Sequence, residues 1–192
     1  MELLEAGYID VTKAPYNADP NGSRDSTDAI QRAVDDAYQY SFVAYVPKGT
    51  YLVSKSLRFA QQAGYKSLGQ SNRKFTNIVV GDTTGGSFPI LKVKDGSLGN
   101  KTLIEFYFTG PQGPASHYGS IFRGFEIDMG NNPGASALSM KGAQLCSIED
   151  VIIRGNFNRG IDGLPGSGGS TTNVKIIGGN VGVYQNEYRP SP

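Results

Sequence analysis

Asp162 is the acidic residue whose surroundings best suit the binding of a sugar. It lies in the segment Gly160–Gly163, where the flanking glycines leave the carboxylate open to a ligand. In the repeat described below, Ser139, Asp162 and Tyr184 form one outward row. A carboxylate can accept hydrogen bonds from hydroxyl groups, while a tyrosine ring covers the apolar face of a sugar. The row is therefore either a sugar-binding strip or an ordinary solvated face.

A second set of charged residues lies on the strands that precede this row. Glu126 and Lys175 are predicted to share one outward row, and Asp128 faces Arg154 in the next. Asp128 and Arg154 then form an ion pair across neighbouring coils, which at the surface contributes about 0–1 kcal/mol. The alternative hypothesis is that these four residues form a charged strip that binds a sugar.

Two carboxylates and a histidine are the candidate catalytic groups. Glycoside cleavage uses two carboxylates roughly 5–10 Å apart, and Asp162 and Asp128 are the candidates for that role. His117 is the single histidine and lies beside Tyr118 in a loop rich in Gly, Pro and Ser. It could act as the base of a lyase, or it could simply be an exposed loop residue.

Residue counts and spacing exclude several other chemistries. Cys146 is the single cysteine, so neither an internal disulfide nor a cysteine metal cluster can form. One histidine cannot build a two-histidine zinc site. The segment Gly163–Gly169 lacks the Gly-Lys-Ser/Thr ending of a phosphate-binding loop. Glu149 and Asp150 are adjacent, so in a strand they should point to opposite faces. We expect no metal and no organic cofactor.

The composition predicts one globular domain without a charged macromolecular partner. The chain has 192 residues, 38% of them hydrophobic, and its 18 basic residues nearly balance 17 acidic ones. Nothing in this balance favours a nucleic acid or an anionic membrane as a partner. No apolar run approaches the roughly 20 residues that span a bilayer. Residues 1–7 lack the features of an export signal.

Glycines are numerous, and one helix is predicted. The 26 glycines are spread through Val- and Ile-rich segments, as expected for many short strands joined by tight turns. A helix is predicted over Asp25–Tyr38, because Ile30, Ala33, Val34 and Ala37 form one apolar stripe. Asp25 or Ser26 would be its N-cap. Strands are predicted at Phe42–Val46, Thr50–Val53, Asn77–Val80, Ile90–Val93, Leu103–Phe108, Ile121–Asp128, Ala137–Met140, Ser147–Arg154, Gly160–Asp162, Asn173–Ile177 and Gly182–Tyr184.

The strands contain a repeat. An apolar–x–apolar unit begins at Phe125, Val151 and Val174, with steps of 26 and 23 residues, and a Gly-Asn pair follows each unit. A second short strand, centred on Leu138, Ile161 and Val183, recurs in phase at steps of 23 and 22 residues. Ile78 lies 47 residues before Phe125, about two such periods, so we expect the register to start there. Glycine, or asparagine in the left-handed conformation, would form the corners.

This pattern predicts a β-solenoid, in which stacked coils bury one continuous apolar column. The predicted helix would cover the first end of the stack, since an uncovered end exposes unpaired strand edges. The last segment looks like a half-built coil. We therefore expect the stack to continue beyond Pro192 in further C-terminal coils, or a second protein chain to cover this end.

The residues from Asp10 to Leu57 resemble the start of the pectate lyase-like (rhamnogalacturonase and epimerase type) β-helix family. The matching pieces are Asp10-Val11, the turn at Asn21-Gly22, the segment Asp25–Gln31 and the segment Val46–Tyr51. The segment Gly168–Gly182 is similar to a coil of glycoside hydrolase family 55, the exo-β-1,3-glucanases. The resemblance implies an all-β, right-handed parallel β-helix with one N-terminal capping helix and an open C-terminal end.

The resemblance also implies a domain organisation and a place of action. Residues 1–192 would form a single β-helix domain, with the cap and first strands over 1–57 and the coils over 58–192. The polygalacturonase-type catalytic motifs do not occur in the chain. Family 55 enzymes place their general acid in a later β-helix unit, so the acid should lie outside this chain. Such proteins are extracellular, and the implied partner is a polysaccharide.

Three functions remain open on the sequence. The first is the N-terminal unit of a secreted glycoside hydrolase of the β-1,3-glucanase type, which contributes scaffold and substrate binding through Asp162, Tyr184, Arg154, Glu126 and Lys175. The second is a lyase or epimerase that acts on uronates. The third is a non-enzymatic scaffold such as a tailspike segment. Alone, this chain is expected to be inactive.

Overall fold

The computed structural model describes residues 6–61, 76–108, 118–142 and 144–186. These residues form a right-handed parallel β-helix, as predicted, in which every strand pairing is parallel. The strands are β1 (Tyr8–Asp10), β2 (Asn21–Asp25), β3 (Val43–Val46), β4 (Thr50–Val53), β5 (Leu57–Gln61), β6 (Ile78–Gly81), β7 (Ile90–Val93), β8 (Thr102–Phe108), β9 (Ile121–Met140), β10 (Ser147–Asp162), β11 (Ser170–Gly178) and β12 (Val181–Tyr184), and the helix is α1 (Thr27–Tyr40).

Each coil of the β-helix has three sides. The first side stacks β1, β3, β6 and then the first residues of β9, β10 and β11. The second side stacks β2, β4, β7 and the middle of β9 and β10, followed by the end of β11. The third side stacks β5, β8, the end of β9, the end of β10 and β12. The long strands β9 and β10 each run around all three sides.

Aromatic rings fill the interior of the middle coils. Phe59 and Phe106 meet edge to face with their ring centroids 4.9 Å apart, and Phe106 meets Phe122 in the same way at 6.3 Å. Phe122 and Phe125 are stacked at 4.4 Å. All four rings are buried. Because such pairs contribute beyond their buried area, this column joins successive coils and adjacent sides into one core.

The helix α1 takes the place of a strand on the third side of the first coil. It packs against β5, β3 and β1 and buries Ile30, Ala33, Val34 and Ala37, which confirms the predicted stripe. It begins and ends two residues later than predicted. Ser26 occupies the N-cap position, but its hydroxyl accepts a hydrogen bond from the backbone N–H of Asp19 (2.9 Å) and does not cap the helix.

The corner between the first and second sides is a single residue in three successive coils. Gly124, Asp150 and Asn173 occupy equivalent positions with φ of 80°, 53° and 51°. The Asn173 amide donates a 2.6 Å hydrogen bond to the Asp150 carboxylate, which joins two coils at this corner. The left-handed backbone interrupts strand alternation, so Glu149 and Asp150 are both partly exposed. The prediction that they point to opposite faces is wrong for this reason.

Glycine forms the corner that follows the second side. Gly130 and Gly155 have positive φ, whereas the asparagines next to them do not. Those asparagines stack instead, and the Asn156 amide donates a 2.8 Å hydrogen bond to the Asn131 side chain. Of the two residue types predicted for the corners, glycine takes the left-handed conformation here, because it has no Cβ to oppose it, and asparagine takes it at Asn173.

The predicted repeat is confirmed from Phe125 onward. Val151 pairs with Phe125 on one side and with Val174 on the other. The expectation of two periods between Ile78 and Phe125 is wrong. Ile78 pairs directly with Ile121, so a single coil, built from β6, β7 and β8 with longer connections, separates Ile78 from β9.

The last coil is the most exposed part of the stack. In the described part of the chain, β11 and β12 pair only with β10, and Ile177, Val181 and Val183 are exposed.

Among the described residues, no helix is long and apolar enough to cross a membrane.

Candidate functional site

A continuous row of polar side chains runs along the outer face of the third side. Strand pairing places Arg58 next to Glu105, Glu105 next to Ser139, and Asp162 next to Tyr184. Ile161 pairs with Leu138, so the residues that follow them, Asp162 and Ser139, lie side by side and join the two parts of the row. With about 4.8 Å between neighbouring strands, these five residues span roughly 19 Å. The strand register thus confirms the predicted row of Ser139, Asp162 and Tyr184, and it adds Arg58 and Glu105 to that row.

Flanking apolar residues fix the direction of the row. Each of the first three residues of the row lies between two inward-facing apolar neighbours, in Leu57-Arg58-Phe59, Ile104-Glu105-Phe106 and Leu138-Ser139-Met140. The inward neighbours are at most 3% exposed, so strand alternation directs the polar residue to the surface. Ser139 is itself 7% exposed and is the smallest member of the row.

Asp162 is held by two basic side chains. Arg159 Nη1 lies 3.0 Å from Asp162 Oδ2, and Lys141 Nζ lies 3.9 Å from Asp162 Oδ1. The Arg159 guanidinium also covers the Tyr184 ring, with its carbon 3.6 Å from the ring centroid. Arg159 therefore orients both predicted site residues, through an ion pair with one and a cation–π contact with the other.

Two buried polar atoms lie at this end of the row. Within the described chain, Asp162 Oδ1 and Gln185 Nε2 are buried and have no hydrogen-bond partner. Gln185 is anchored through its other amide atom, which accepts a 2.8 Å hydrogen bond from the backbone N–H of Leu164. Asp162 Oδ1 can accept a hydrogen bond, and Gln185 Nε2 can donate one. A hydroxyl group can donate to the first kind of atom and accept from the second.

The same arrangement recurs at the other end of the row. Arg58 Nε lies 2.9 Å from Glu105 Oε2, and the Arg58 guanidinium carbon lies 4.0 Å from the centroid of the Tyr107 ring. An arginine, a carboxylate and a tyrosine ring thus occur together twice on one face. Glu105 and Asp162 are two strands apart, which places their backbones roughly 9.6 Å from each other.

The charged residues predicted on the second side form a compact ion-pair network. Arg154 Nε lies 2.5 Å from Glu126 Oε1, and Arg154 Nη1 lies 2.9 Å from Asp128 Oδ2. The hydrogen bond to Glu126 and the nearby Asp128 charge raise the Arg154 pKa. The predicted Asp128–Arg154 pair is confirmed. Lys175 is exposed on β11, and Ile152 separates it from Glu126.

The structure does not bring the candidate catalytic residues together in one site. Asp162 lies on the third side and Asp128 on the second, so the two carboxylates do not share a face. His117 lies outside the described residues. Among the described residues, no group of three or more His, Cys, Asp or Glu side chains is arranged to hold a metal ion.

Sequence reasoning missed four members of the site: Arg58, Glu105, Lys141 and Arg159. The apolar–x–apolar pattern could have revealed Arg58 and Glu105, because Leu57–Phe59 and Ile104–Phe106 repeat it. Arg159 carried no such signal. The strand register shifts between Phe157 and Arg159, so alternation counted back from Asp162 does not predict the direction of the Arg159 side chain.

Comparison with known proteins gives one family and several relatives. Residues 9–189 match the family described as rhamnogalacturonase A/epimerase, pectate lyase-like. A protein of Penicillium expansum named non-secreted LysM effector LysM19 is 26% identical over 191 residues, covering 88% of this chain. This chain spans only 14% of that relative.

Two solved structures share the fold. The Dettilon tailspike protein (gp208) superposes with a TM-score of 0.61 at 16% identity, over 94% of this chain and 32% of that one. The ORF18 protein of Geobacillus virus E2 gives a TM-score of 0.54 at 18% identity, over 83% of this chain and 28% of that one. The chain is therefore similar to about a third of each of these proteins.

Proposed function

This chain belongs to the pectate lyase-like rhamnogalacturonase A/epimerase family, and we propose that it is a polysaccharide-binding β-helix unit of a carbohydrate-active protein. The row Arg58–Glu105–Ser139–Asp162–Tyr184 carries the proposal. It is straight, about 19 Å long and rich in groups that bind hydroxyls. A sugar chain lying along the third side would contact several members of the row at once.

The reaction that we assign to the whole protein is glycoside hydrolysis of the β-1,3-glucanase type, with the general acid outside this chain. Glu105 and Asp162 are both ion-paired, and Asp128 is on another side, so the described residues offer substrate contacts more readily than an acid–base pair. The tyrosines on the third side would stack on sugar rings, and the carboxylates would accept hydrogen bonds from hydroxyls.

Lyase or epimerase action on uronates is the second candidate. Basic side chains at both ends of the row favour it, since Arg58, Lys141 and Arg159 could lie beside a sugar carboxylate. A non-enzymatic role like that of a tailspike segment is the third candidate. It rests on the structural likeness to the Dettilon tailspike protein and predicts stable assembly without sugar cleavage.

Binding and sugar release on one protein sample test the proposal. We expect the chain to bind laminarin or polygalacturonate without releasing sugar from either, and Tyr184→Ala to weaken binding at least fivefold. Tyr40→Ala is the matched control, because Tyr40 is 64% exposed at the end of α1 and away from the row. Equal loss in both variants, or no binding to either polymer, would contradict the proposal. Cleavage by the chain alone would show that the catalytic groups are within it.

Export of the protein is a separate part of the proposal. Polysaccharide action of this kind implies a place outside the cell, whereas the Penicillium expansum relative is named as non-secreted. Fractionation of cells expressing the full-length native protein would decide between the two. Recovery in the medium or on the surface supports export, and recovery in the cell lysate overturns it.

A further inference from the structure

The triplet Asn100-Lys101-Thr102 has the form of an acceptor site for N-linked glycosylation. It satisfies the pattern Asn-x-Ser/Thr, with a middle residue other than proline. A second triplet, Asn21-Gly22-Ser23, satisfies the pattern as well. Because a glycan is bulky and solvated, the folded protein must present the acceptor asparagine at its surface with open space beside it. The surroundings of the two triplets differ in how well they meet this requirement.

Asn100 lies at the tip of a tight turn between β7 and β8. The Lys101 backbone N–H donates a 3.1 Å hydrogen bond to the Leu98 carbonyl oxygen, and Gly99 turns the chain with a φ of 57°. Leu98 is buried, and its N–H donates a 3.2 Å hydrogen bond to the Asn132 side chain. The base of the turn is therefore anchored in the core, while Asn100 and Lys101 are exposed.

The neighbouring coil leaves room for the Asn100 side chain. Gly134 of β9 lies against it, and a Cβ atom added at Gly134 would overlap Asn100 Oδ1. Because the amide oxygen faces the backbone of β9, the amide nitrogen on the other branch of this planar group points away from that strand. Beside Asn100 is a groove of about 620 Å³, which it lines together with Arg58 and Glu105 of the polar row. The atom that bonds to a glycan therefore has open space around it.

The second triplet is held by the buried carboxylate of Asp19. The Asn21 N–H donates a 3.0 Å hydrogen bond to Asp19 Oδ1, and the Ser23 N–H and hydroxyl donate to Asp19 Oδ2 at 2.9 and 2.6 Å. The hydroxyl that the pattern requires at its third position is thus already engaged. Of the two triplets, Asn100-Lys101-Thr102 is the one that the fold leaves open to modification.

We propose that Asn100 is an N-linked glycosylation site, modified when the protein is exported through a eukaryotic secretory pathway. The donor is an oligosaccharide whose anomeric carbon is linked to a lipid diphosphate. The bond between that carbon and the diphosphate oxygen breaks, and the lipid diphosphate leaves with the bonding electrons. Asn100 Nδ2 forms the new bond to the anomeric carbon and loses a proton. The attached glycan would stand over the groove and shield Arg58 and Glu105 at that end of the row.

Secretory expression of the full-length protein in yeast, followed by peptide mass spectrometry, tests the site. We expect the peptide that contains Asn100 to carry a glycan that a peptide N-glycosidase removes. Asn100→Gln and Thr102→Ala should each abolish this glycan, whereas Thr102→Ser should keep it, because serine retains the hydroxyl. Asn131→Gln is the matched control and should leave the glycan in place, since Asn131 is exposed but outside any such triplet.

A protein without a glycan on Asn100 would overturn the proposal, and so would a glycan that persists at this site in Thr102→Ala. A glycan on Asn21 with Asn100 unmodified would overturn it as well. A variant that folds poorly and is retained in the cell is assayed from the membrane fraction, because the glycan is added before secretion. The modification depends on export but not on sugar binding. An unmodified Asn100 in yeast therefore contradicts the glycosylation site alone, whereas failure to bind either polysaccharide contradicts only the proposed function.

Discussion

The side-chain amide of Gln31 completes the backbone hydrogen bonding of Arg58. Gln31 Nε2 donates to the Arg58 carbonyl oxygen, and Gln31 Oε1 accepts from the Arg58 N–H, both at 2.8 Å. Arg58 lies on β5, and its other strand neighbour is β8. The amide therefore substitutes for the strand that would otherwise lie beside β5, which lets a helix cover that edge without leaving these two groups unpaired.

Gln31→Ala should lower the free energy of unfolding by about 1–2 kcal/mol, because two hydrogen bonds to β5 are lost. Chemical denaturation followed by circular dichroism measures the change. Tyr40→Ala truncates a side chain that is 64% exposed at the end of the same helix and should change stability by no more than about 0.5 kcal/mol. Similar effects in both variants would show that water replaces the amide at β5.

Gly179→Ala should destabilise the protein by about 2–4 kcal/mol. Gly179 has a φ of 71°, and a methyl group there would overlap the buried Phe157 ring. Gly182→Ala is the control, since nothing lies within 4 Å of the added carbon in the same coil. Thermal unfolding of both variants should show a large decrease in Tm for the first alone. A small effect at Gly179 would mean that the last coil is poorly packed in solution.

Asp19→Asn should destabilise the protein at neutral pH, and the effect should fade in acid. Hydrogen bonds from the Ser23 hydroxyl and the Asn21 backbone N–H hold the Asp19 pKa well below its usual range. A carboxylate with a lowered pKa in the folded state contributes stability that is complete above its unfolded pKa of about 3.9. This contribution is lost as the pH falls toward the folded value.

Denaturation of Asp19→Asn and the parent protein at several pH values checks this sign. The difference in unfolding free energy should be full at pH 6 and should shrink steadily below about pH 4. A difference that grows in acid would mean that the pKa of Asp19 is raised in the folded protein.

Arg154→Ala should lower the free energy of unfolding by about 1 kcal/mol, because Glu126 and Asp128 would lose their shared cation. The loss should shrink in about 1 M salt, where charges are screened within about 3 Å. Arg123→Ala removes an exposed arginine from the neighbouring strand β9 and serves as the control. Salt-independent loss would assign the effect to packing of the arginine stem and not to charge.

Much of the fold could be predicted because successive coils repeat the same pattern of apolar residues and glycines. From Phe125 onward each coil has nearly the same length, so the period alone gave the register that pairs Phe125, Val151 and Val174. The earlier coils have connections of different length, and the period failed there, as the wrong position of Ile78 shows. The first side was not distinguished from the second in the last coils, because a single corner residue such as Gly124 or Asp150 separates them.

The candidate site was predictable only where alternation is regular. Asp162 and Tyr184 follow from the register, because the repeat pairs Val183 with the buried Ile161 and so places the two following residues side by side. Lys141 and Arg159 reach Asp162 through long side chains from positions outside the row. The direction of such side chains depends on local packing and on a register shift, which strand periodicity does not encode.

The one-residue corner at Gly124, Asp150 and Asn173 has an evolutionary consequence. A junction this short cannot accept an inserted residue without breaking the register of two sides at once, whereas the same junction in the three preceding coils carries residues 11–20, 47–49 and 82–89. In the last three coils, new loops can therefore arise only on the two edges of the third side. Diversification of specificity in these coils, whether by natural selection or by grafting of engineered loops, would be confined to the borders of the polar row, while in the first three coils the opposite edge can vary as well.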